Sequence, residues 1–244
     1  MDFYKKHLIS NVDKTREYYM KSIVKTEQQK MLEFLLERDD GFINSINIAD
    51  IATGGGTLSY HLGKINKNAN FTLIDYMEES ISISKEINRN NLDRFIIKKG
   101  DIYNLDCDDD SFDFVFCWAT LSWLDDPKKA LDELIRITKK DGKIYLSSLF
   151  NIDHDVDIYS KVYDYTREGD KNGGCMAYNT YSKYIVNKWI KDKVQFFKIH
   201  KFNTDIDFSY NGKGVGTFTK ECKVNKIQIS GGMLMNWGIL EIKK

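Results

Sequence analysis

The sequence predicts an α/β fold in one domain, a mostly parallel sheet with helices on both faces. Three observations predict it. Short β-branched runs alternate with helix-period segments through the first 150 residues, the pattern of strand–helix–strand units. Glycines 54, 55 and 56 follow the first of those runs at once, where a strand must turn tightly into a helix. Asp75 and Asp101 stand at or just past the ends of the second and third runs. In a parallel sheet both would reach one edge, where such folds bind ligands. The length of 244 residues suits one large domain.

Each element has its own signal. Residues 1–40 are rich in charge and helix formers, and Met31, Leu32, Phe34, Leu35 and Leu36 form an apolar helix face ending near Asp39-Asp40-Gly41. Residues 46–51 make the first strand, and a helix begins at 58–62. Residues 70–74 make the second strand, closed by Asp75, and 78–88 a helix with Ile81, Ile83 and Ile87 as buried positions. Residues 95–99 are the third strand and 111–118, SFDFVFCW, the fourth. Pro127 opens a helix whose apolar positions are 131, 134, 135 and 137. Asp141-Gly142 is a turn before a fifth strand at 143–150.

The last 94 residues read differently. Residues 151–180 are polar, aromatic and irregular; Ser182 caps a helix running to about Asp192. Residues 194–208 form a sixth strand with its continuation, 217–230 one or two strands, and 233–242 the last strand. The expected organisation is a helical segment at 1–44, a ligand-binding core at 45–150, an insertion at 151–181, and a closing helix and strands at 182–244.

Composition narrows the partners. Thirty-six basic residues meet thirty-six acidic ones, so no net field favours a polyanion, and nucleic acid is not expected as a partner. No stretch reaches the roughly 18 apolar residues of a membrane span, and the first residues lack the apolar core of a signal peptide. A cytoplasmic protein with no membrane partner is expected. Cys107, Cys117, Cys175 and Cys222 are too scattered for a zinc site. Asp108-Asp109-Asp110 reads as a solvated turn, and no metal site is expected.

The chemistry concentrates in Asp50-Ile51-Ala52-Thr53-Gly54-Gly55-Gly56-Thr57. Here a ligand could lie against bare backbone amides at a helix start. A dinucleotide site wants G-x-G-x-x-G, and Ser59 stands where its third glycine would be. A nicotinamide oxidoreductase therefore ranks low. No phosphate-binding lysine of the P-loop kind is present either. Asp75, 21 positions after Gly54 (75 − 54), could accept hydrogen bonds from both hydroxyls of a ribose. Asp101 could accept from an adenine amino group, with Ile102 on the ring.

On these residues the sequence resembles the class I S-adenosylmethionine-dependent methyltransferases. Their first motif, D-x-G-x-G-x-G, stands here as Asp50-x-Ala52-x-Gly54-x-Gly56, with Ala in the first glycine position. The resemblance spans about residues 45–150. It implies a three-layer Rossmann-like methyltransferase fold: a seven-stranded, mostly parallel sheet with an antiparallel last strand, N-terminal helices and a cap-like insertion after the fifth strand. It implies S-adenosyl-L-methionine as cofactor. Backbone around Ala52, Thr53, Gly54 and Gly56 would face its amino-acid end, Asp75 its ribose, Tyr76 and Met77 its adenosine, and Asp101 and Ile102 its adenine. Trp118 would stand between cofactor and acceptor.

The acceptor is less legible. Nucleobase amino-methyltransferases often carry [DNS]-P-P-[YF] after the fourth strand; this chain has Cys117-Trp118-Ala119-Thr120. The acceptor pocket is expected from residues 1–20 (Phe3, Tyr4, Tyr18, Tyr19) and 151–181 (Tyr159, Tyr163, Tyr165, Tyr178, Tyr181). His154 is the candidate general base for a hydroxyl acceptor, with Asp153, Asp155 and Tyr178 competing. O-methylation of a sugar or similar small hydroxyl compound is the first expectation. N- or carboxyl-methylation of a small metabolite, or cofactor binding without turnover, are the alternatives.

Overall fold

A computed structural model describes residues 12–21, 23–24, 27–152, 155–164, 174–201, 217–221, 226–230 and 237–244. The helices are α1 (Val12–Lys21), α2 (Glu27–Leu36), α3 (Thr57–Ile65), α4 (Glu78–Ile87), α5 (Pro127–Ile137) and α6 (Lys183–Ile190), besides a single helical turn at Asp40–Ile43. The strands are β1 (Asn47–Ile51), β2 (Asn70–Asp75), β3 (Phe95–Lys99), β4 (Phe112–Cys117), β5 (Thr138–Asn151), β6 (Lys161–Asp164), β7 (Gly174–Ala177), β8 (Tyr181–Ser182), β9 (Phe196–Lys201), β10 (Thr217–Glu221), β11 (Lys226–Ser230) and β12 (Trp237–Lys243).

The main sheet runs β3-β2-β1-β4-β5-β12-β9, and the two-residue β8 pairs with the end of β5. β1 to β5 are mutually parallel, and β12 runs antiparallel between β5 and β9. The fold is the three-layer Rossmann-like arrangement expected, with its antiparallel last strand.

Side-chain alternation explains the layers, because successive strand residues face opposite sides. In β4, Phe114 and Phe116 join the cluster holding Leu32 and Leu36 of α2 and Leu58 and Leu62 of α3. Val115 and Cys117 join the cluster holding Leu131, Leu134 and Ile135 of α5 and Val186 and Ile190 of α6. Both faces of this central strand are therefore dry, which is why it reads as an unbroken apolar run.

The local signals act as their chemistry dictates. Asp126 caps α5 by accepting from Lys129 N at 3.0 Å, with Pro127 at the first helical position. Ser182 caps α6 by accepting from Ile185 N at 3.1 Å.

Four expectations need correction. Phe34 is 49% exposed beneath the Arg38 guanidinium, so α2 buries only Leu32 and Leu36 fully and Met31 and Leu35 in part. Ile87 is half-buried, at the last turn of α4. Asp141-Gly142 does not precede β5 but lies within it: Asp141 takes φ +64, and the register against β4 shifts between Phe112 and Phe114. Residues 151–180 are not wholly irregular, since β6 and β7 pair as an antiparallel hairpin. Residues 217–230 are two paired strands, β10 and β11. The sixth strand is β9, and residues 202–208 lie outside the described ones. No described helix is long and apolar enough to cross a membrane.

Candidate active site

The parallel register brings the candidate residues to one edge. Asp50 pairs with Leu73 and with Phe116, Asp75 with Lys99, and Cys117 with Leu146. The ends of β1 to β5 therefore emerge together, carrying the glycine turn, Asp75, Asp101 and Trp118.

The turn from β1 into α3 has a distinct backbone. Ala52, Gly54 and Gly56 take φ of +56, +55 and +69. These are the three glycine positions of the motif, all in the left-handed region that L-residues with a Cβ avoid. Ala52 thus stores strain where the motif has glycine. Gly56 is also sterically required, because a Cβ there would lie 2.3 Å from Ser84 Oγ and 2.6 Å from Asn88 Nδ2.

Asp50 sits under this turn, 1% exposed. Its Oδ2 accepts from Thr53 Oγ1 at 2.8 Å and from Ser59 Oγ at 2.6 Å. Its Oδ1 is buried with no hydrogen-bond partner. Burial pushes its carboxyl up to about 6; the Ser59 and Thr53 hydroxyls oppose the shift, and the nearby Asp75 charge adds to it. Ser59, the residue that spoils a dinucleotide motif, instead holds Asp50. A buried carboxylate oxygen without a donor suits an incoming ammonium group, and the amino-acid end of S-adenosylmethionine carries one. The donor set therefore fits that cofactor.

Asp75 joins three strand ends. Its Oδ2 accepts from Gly54 N at 2.8 Å and its Oδ1 from Met77 N at 2.9 Å. Its carbonyl accepts from Gly100 N at 2.9 Å, and Thr53 N donates to the Ile74 carbonyl at 3.1 Å. Burial raises its pKa against the lowering effect of these N–H groups. The Ser80 hydroxyl and the Tyr76 N–H also act on this carboxyl and lower its pKa. Asp75 therefore ties the glycine turn to the start of α4.

The other expected residues are placed as follows. Tyr76 is half-buried and Met77 is 4% exposed at the N-terminus of α4. Asp101 is half-buried and its Oδ1 accepts from Tyr103 N at 2.9 Å. Ile102 is 7% exposed and packs into the cluster with Ile74 and Leu121. Trp118 is half-buried against the cluster with Phe116 and Tyr145. His154 and Asp153 lie outside the described residues.

Beyond β4 the backbone is again strained. Ala119 takes φ +53 and its N–H donates to Ser147 Oγ at 2.9 Å. The turn at Leu121–Trp123 then anchors the insertion: Asn179 N donates to the Ser122 carbonyl at 2.8 Å and Tyr181 OH to the Leu121 carbonyl at 3.2 Å. Trp123 and Tyr178 pack with ring centroids 4.4 Å apart. Ser122 Oγ and Ser148 Oγ share a hydrogen bond of 2.6 Å below them.

Here the aromatic expectations divide. Tyr181 is fully buried and structural, Tyr18 is 68% exposed and Tyr159 is 61% exposed. Nothing in their residue type could separate these from Tyr178; the pairing of 178 with Trp123 is a long-range contact. Burial raises the Tyr178 phenol above its ordinary value, which disfavours its phenolate.

Comparison with known proteins agrees with this geometry. Residues 44–198, more than half of the chain, match the family described as methyltransferase domain. A malonyl-[acyl-carrier protein] O-methyltransferase from Bacillus cytotoxicus is 29% identical over 127 residues, covering 51% of this chain and 44% of that protein. A demethylmenaquinone methyltransferase from Clavibacter sepedonicus is 35% identical over 102 residues, covering 41% and 39%. The chain thus spans less than half the length of these curated relatives. The structure of the YcgJ protein from Bacillus subtilis matches with a TM-score of 0.63 at 12% identity, covering 90% of this chain and 99% of that one. The [4+2]-cyclase SpnF matches with a TM-score of 0.52 at 15% identity, covering 70% and 59%. These structural likenesses carry the fold alone, and a cyclase among them illustrates that one fold hosts several chemistries. The family match, with the motif, the glycine conformations and Asp75 at one sheet edge, means that the chain belongs to the methyltransferase domain family, the class I S-adenosylmethionine-dependent methyltransferases.

Proposed function

We propose that this chain transfers the methyl group of S-adenosylmethionine to a hydroxyl oxygen of a small polar acceptor such as a sugar. The observation that carries the reading is the junction at Asp75, one buried carboxylate at three strand ends, bonded to the glycine turn. Asp50 and the backbone of Ala52, Thr53, Gly54 and Gly56 hold the amino-acid end. Asp75, Tyr76 and Met77 hold the ribose side, Asp101 and Ile102 the adenine, and Trp118 separates cofactor from acceptor.

The bound cofactor supplies an electrophilic methyl group, which moves by in-line displacement. What the chain must do is align the acceptor, exclude water and take its proton. His154, with Asp153 as competitor, is the proposed base. Tyr178 serves as a hydrogen-bond donor beside Trp123. Balanced charge (36 basic, 36 acidic) supports a small acceptor over nucleic acid.

A carboxylate acceptor is the second reading, favoured by the likeness to a malonyl-[acyl-carrier protein] O-methyltransferase. Such an acceptor is already anionic and needs no base. Transfer of isotope-labelled methyl to a panel of sugars, amines and carboxylic acids tests both. A labelled sugar product that survives mild alkali is an ether and supports the first reading; label released as methanol is an ester and supports the second; alkali-stable label on an amine overturns both. Cofactor binding with no transfer across the panel supports a non-catalytic binding protein. No cofactor binding at millimolar concentration overturns all three.

A further inference from the structure

Gly55 poses a separate question. It occupies an x position of D-x-G-x-G-x-G, where the motif asks for no glycine. Its φ is not among the positive ones, so that angle does not itself call for glycine. What a side chain would meet there is Tyr19. A Cβ on Gly55 would lie 2.6 Å from Tyr19 Cγ, 2.7 Å from its Cβ and 2.8 Å from Cδ1. A Cβ on the neighbouring Gly54 would lie 2.7 Å from the Tyr19 hydroxyl oxygen and 2.9 Å from Cε1. The Tyr19 side chain therefore runs along two consecutive glycines of the turn, at a distance only glycine permits.

Tyr19 belongs to α1, and the rest of that helix explains its role. Arg16, Glu17, Tyr18, Met20 and Lys21 are exposed, while Tyr19 is half-buried. The described part of α1 thus presents one aromatic ring inward and otherwise faces water. An exposed ion pair, Arg16 with Glu86, joins it to α4. The Arg16 charge holds the Glu86 carboxyl below its usual range. The pair is bidentate, with Arg16 Nε also donating to Glu86 Oε2 at 3.1 Å.

We propose that Tyr19 is a cofactor-positioning residue, carried by α1 as a strap that lies over the Gly54–Gly55 side of the cradle. The proposal rests on the reading of residues 50–57 as the cofactor cradle. Gly55 is the matched half of the contact: it is glycine so that the ring can reach the turn.

S-adenosylhomocysteine is the probe, with affinity and dissociation rate measured by calorimetry and stopped flow on the full chain. Tyr19→Ala is expected to raise Kd roughly tenfold, the size of one lost aromatic wall, mainly through faster dissociation. Tyr19→Phe should restore the wild-type values, since the ring is the wall. Gly55→Ala should raise Kd in the wild-type background and have no further effect on Tyr19→Ala, because the two act through one contact. A merely structural role for Tyr19 would shift the melting temperature without producing that coupling. Wild-type protein that binds no S-adenosylhomocysteine would overturn the cradle itself. Wild-type binding with unchanged Kd and dissociation rate in Tyr19→Ala would overturn the strap alone. Tighter binding by Tyr19→Ala would also overturn it, by showing that the ring competes for the cofactor's place.

Discussion

Gly56→Ala is the sharpest single test of the turn. The residue has φ +69, and its missing Cβ would sit 2.3 Å from Ser84 Oγ, 2.6 Å from Asn88 Nδ2 and 3.2 Å from Leu73 Cδ2. Left-handed strain costs about 1–2 kcal/mol for a residue with a Cβ. Forcing a methyl group into packed surroundings costs about 1–3 kcal/mol more. Asn88 cannot retreat freely, because its Nδ2 donates to the Gly56 and Ser84 carbonyls at 3.1 and 3.0 Å. Together these effects are expected to remove roughly 2–5 kcal/mol, a large part of the stability of an ordinary domain. Urea unfolding measures it. The double variant Gly56→Ala/Ser84→Ala separates the causes. Ser84 Oγ is buried without a hydrogen-bond partner, so its removal costs little and relieves the closest clash. Part of the loss should return, and the strain of about 1–2 kcal/mol should remain. A Gly56→Ala protein within about 1 kcal/mol of wild type would refute both the conformation and the packing argued for this position.

Three further outcomes follow from the same edge of the sheet. Asp75→Ala should weaken cofactor binding by about 1.5–3 kcal/mol, the cost of lost hydrogen bonds to a charged group, measured by calorimetry; unchanged affinity removes Asp75 from the ribose role. Ala52→Gly releases left-handed strain of about 1–2 kcal/mol against an unfolded-state entropy cost of about 0.5–1 kcal/mol, so a small net gain in unfolding free energy is expected, and a loss would show that Ala52 is not strained. Asp50 is raised from 3.8 to about 6 in the folded chain. A raised acid favours folding below its unfolded pKa, and that contribution is lost as pH climbs from about 4 to about 6, levelling near 3 kcal/mol. Asp50→Asn should flatten this part of the stability–pH curve, measured as the difference between the two proteins across pH 4–7. An identical curve for both would mean that Asp50 is not the titrating group.

Much of this could be read from residue order alone. β3, residues 95–99, runs where its β-branched run runs, and Asp126 and Ser182 cap the helices they precede. Such features depend on neighbours a few residues apart, and local propensity and period determine them. The geometry of the candidate cradle is legible for the same reason: strand, glycines and helix start lie within eight consecutive residues, and the two distant acids stand at or just past strand ends.

Other features required tertiary structure, because they arise between segments far apart in the chain. The sequence shows that Ala52, Gly54 and Gly56 are small; only the folded turn shows that all three take left-handed φ, and so why Ala52 is the strained one. Ser59 looked like a defect in a nucleotide motif until the turn brought its hydroxyl onto Asp50. Tyr18 and Tyr19 are chemically alike, and helix phase sends one into water and the other onto Gly54 and Gly55. Tyr178 and Tyr181 divide in the same way, one beside Trp123 and one inside the core. Residue type determined which groups this protein has to work with. Packing, through approach distances of a few ångströms that no local pattern encodes, decided which of them meet.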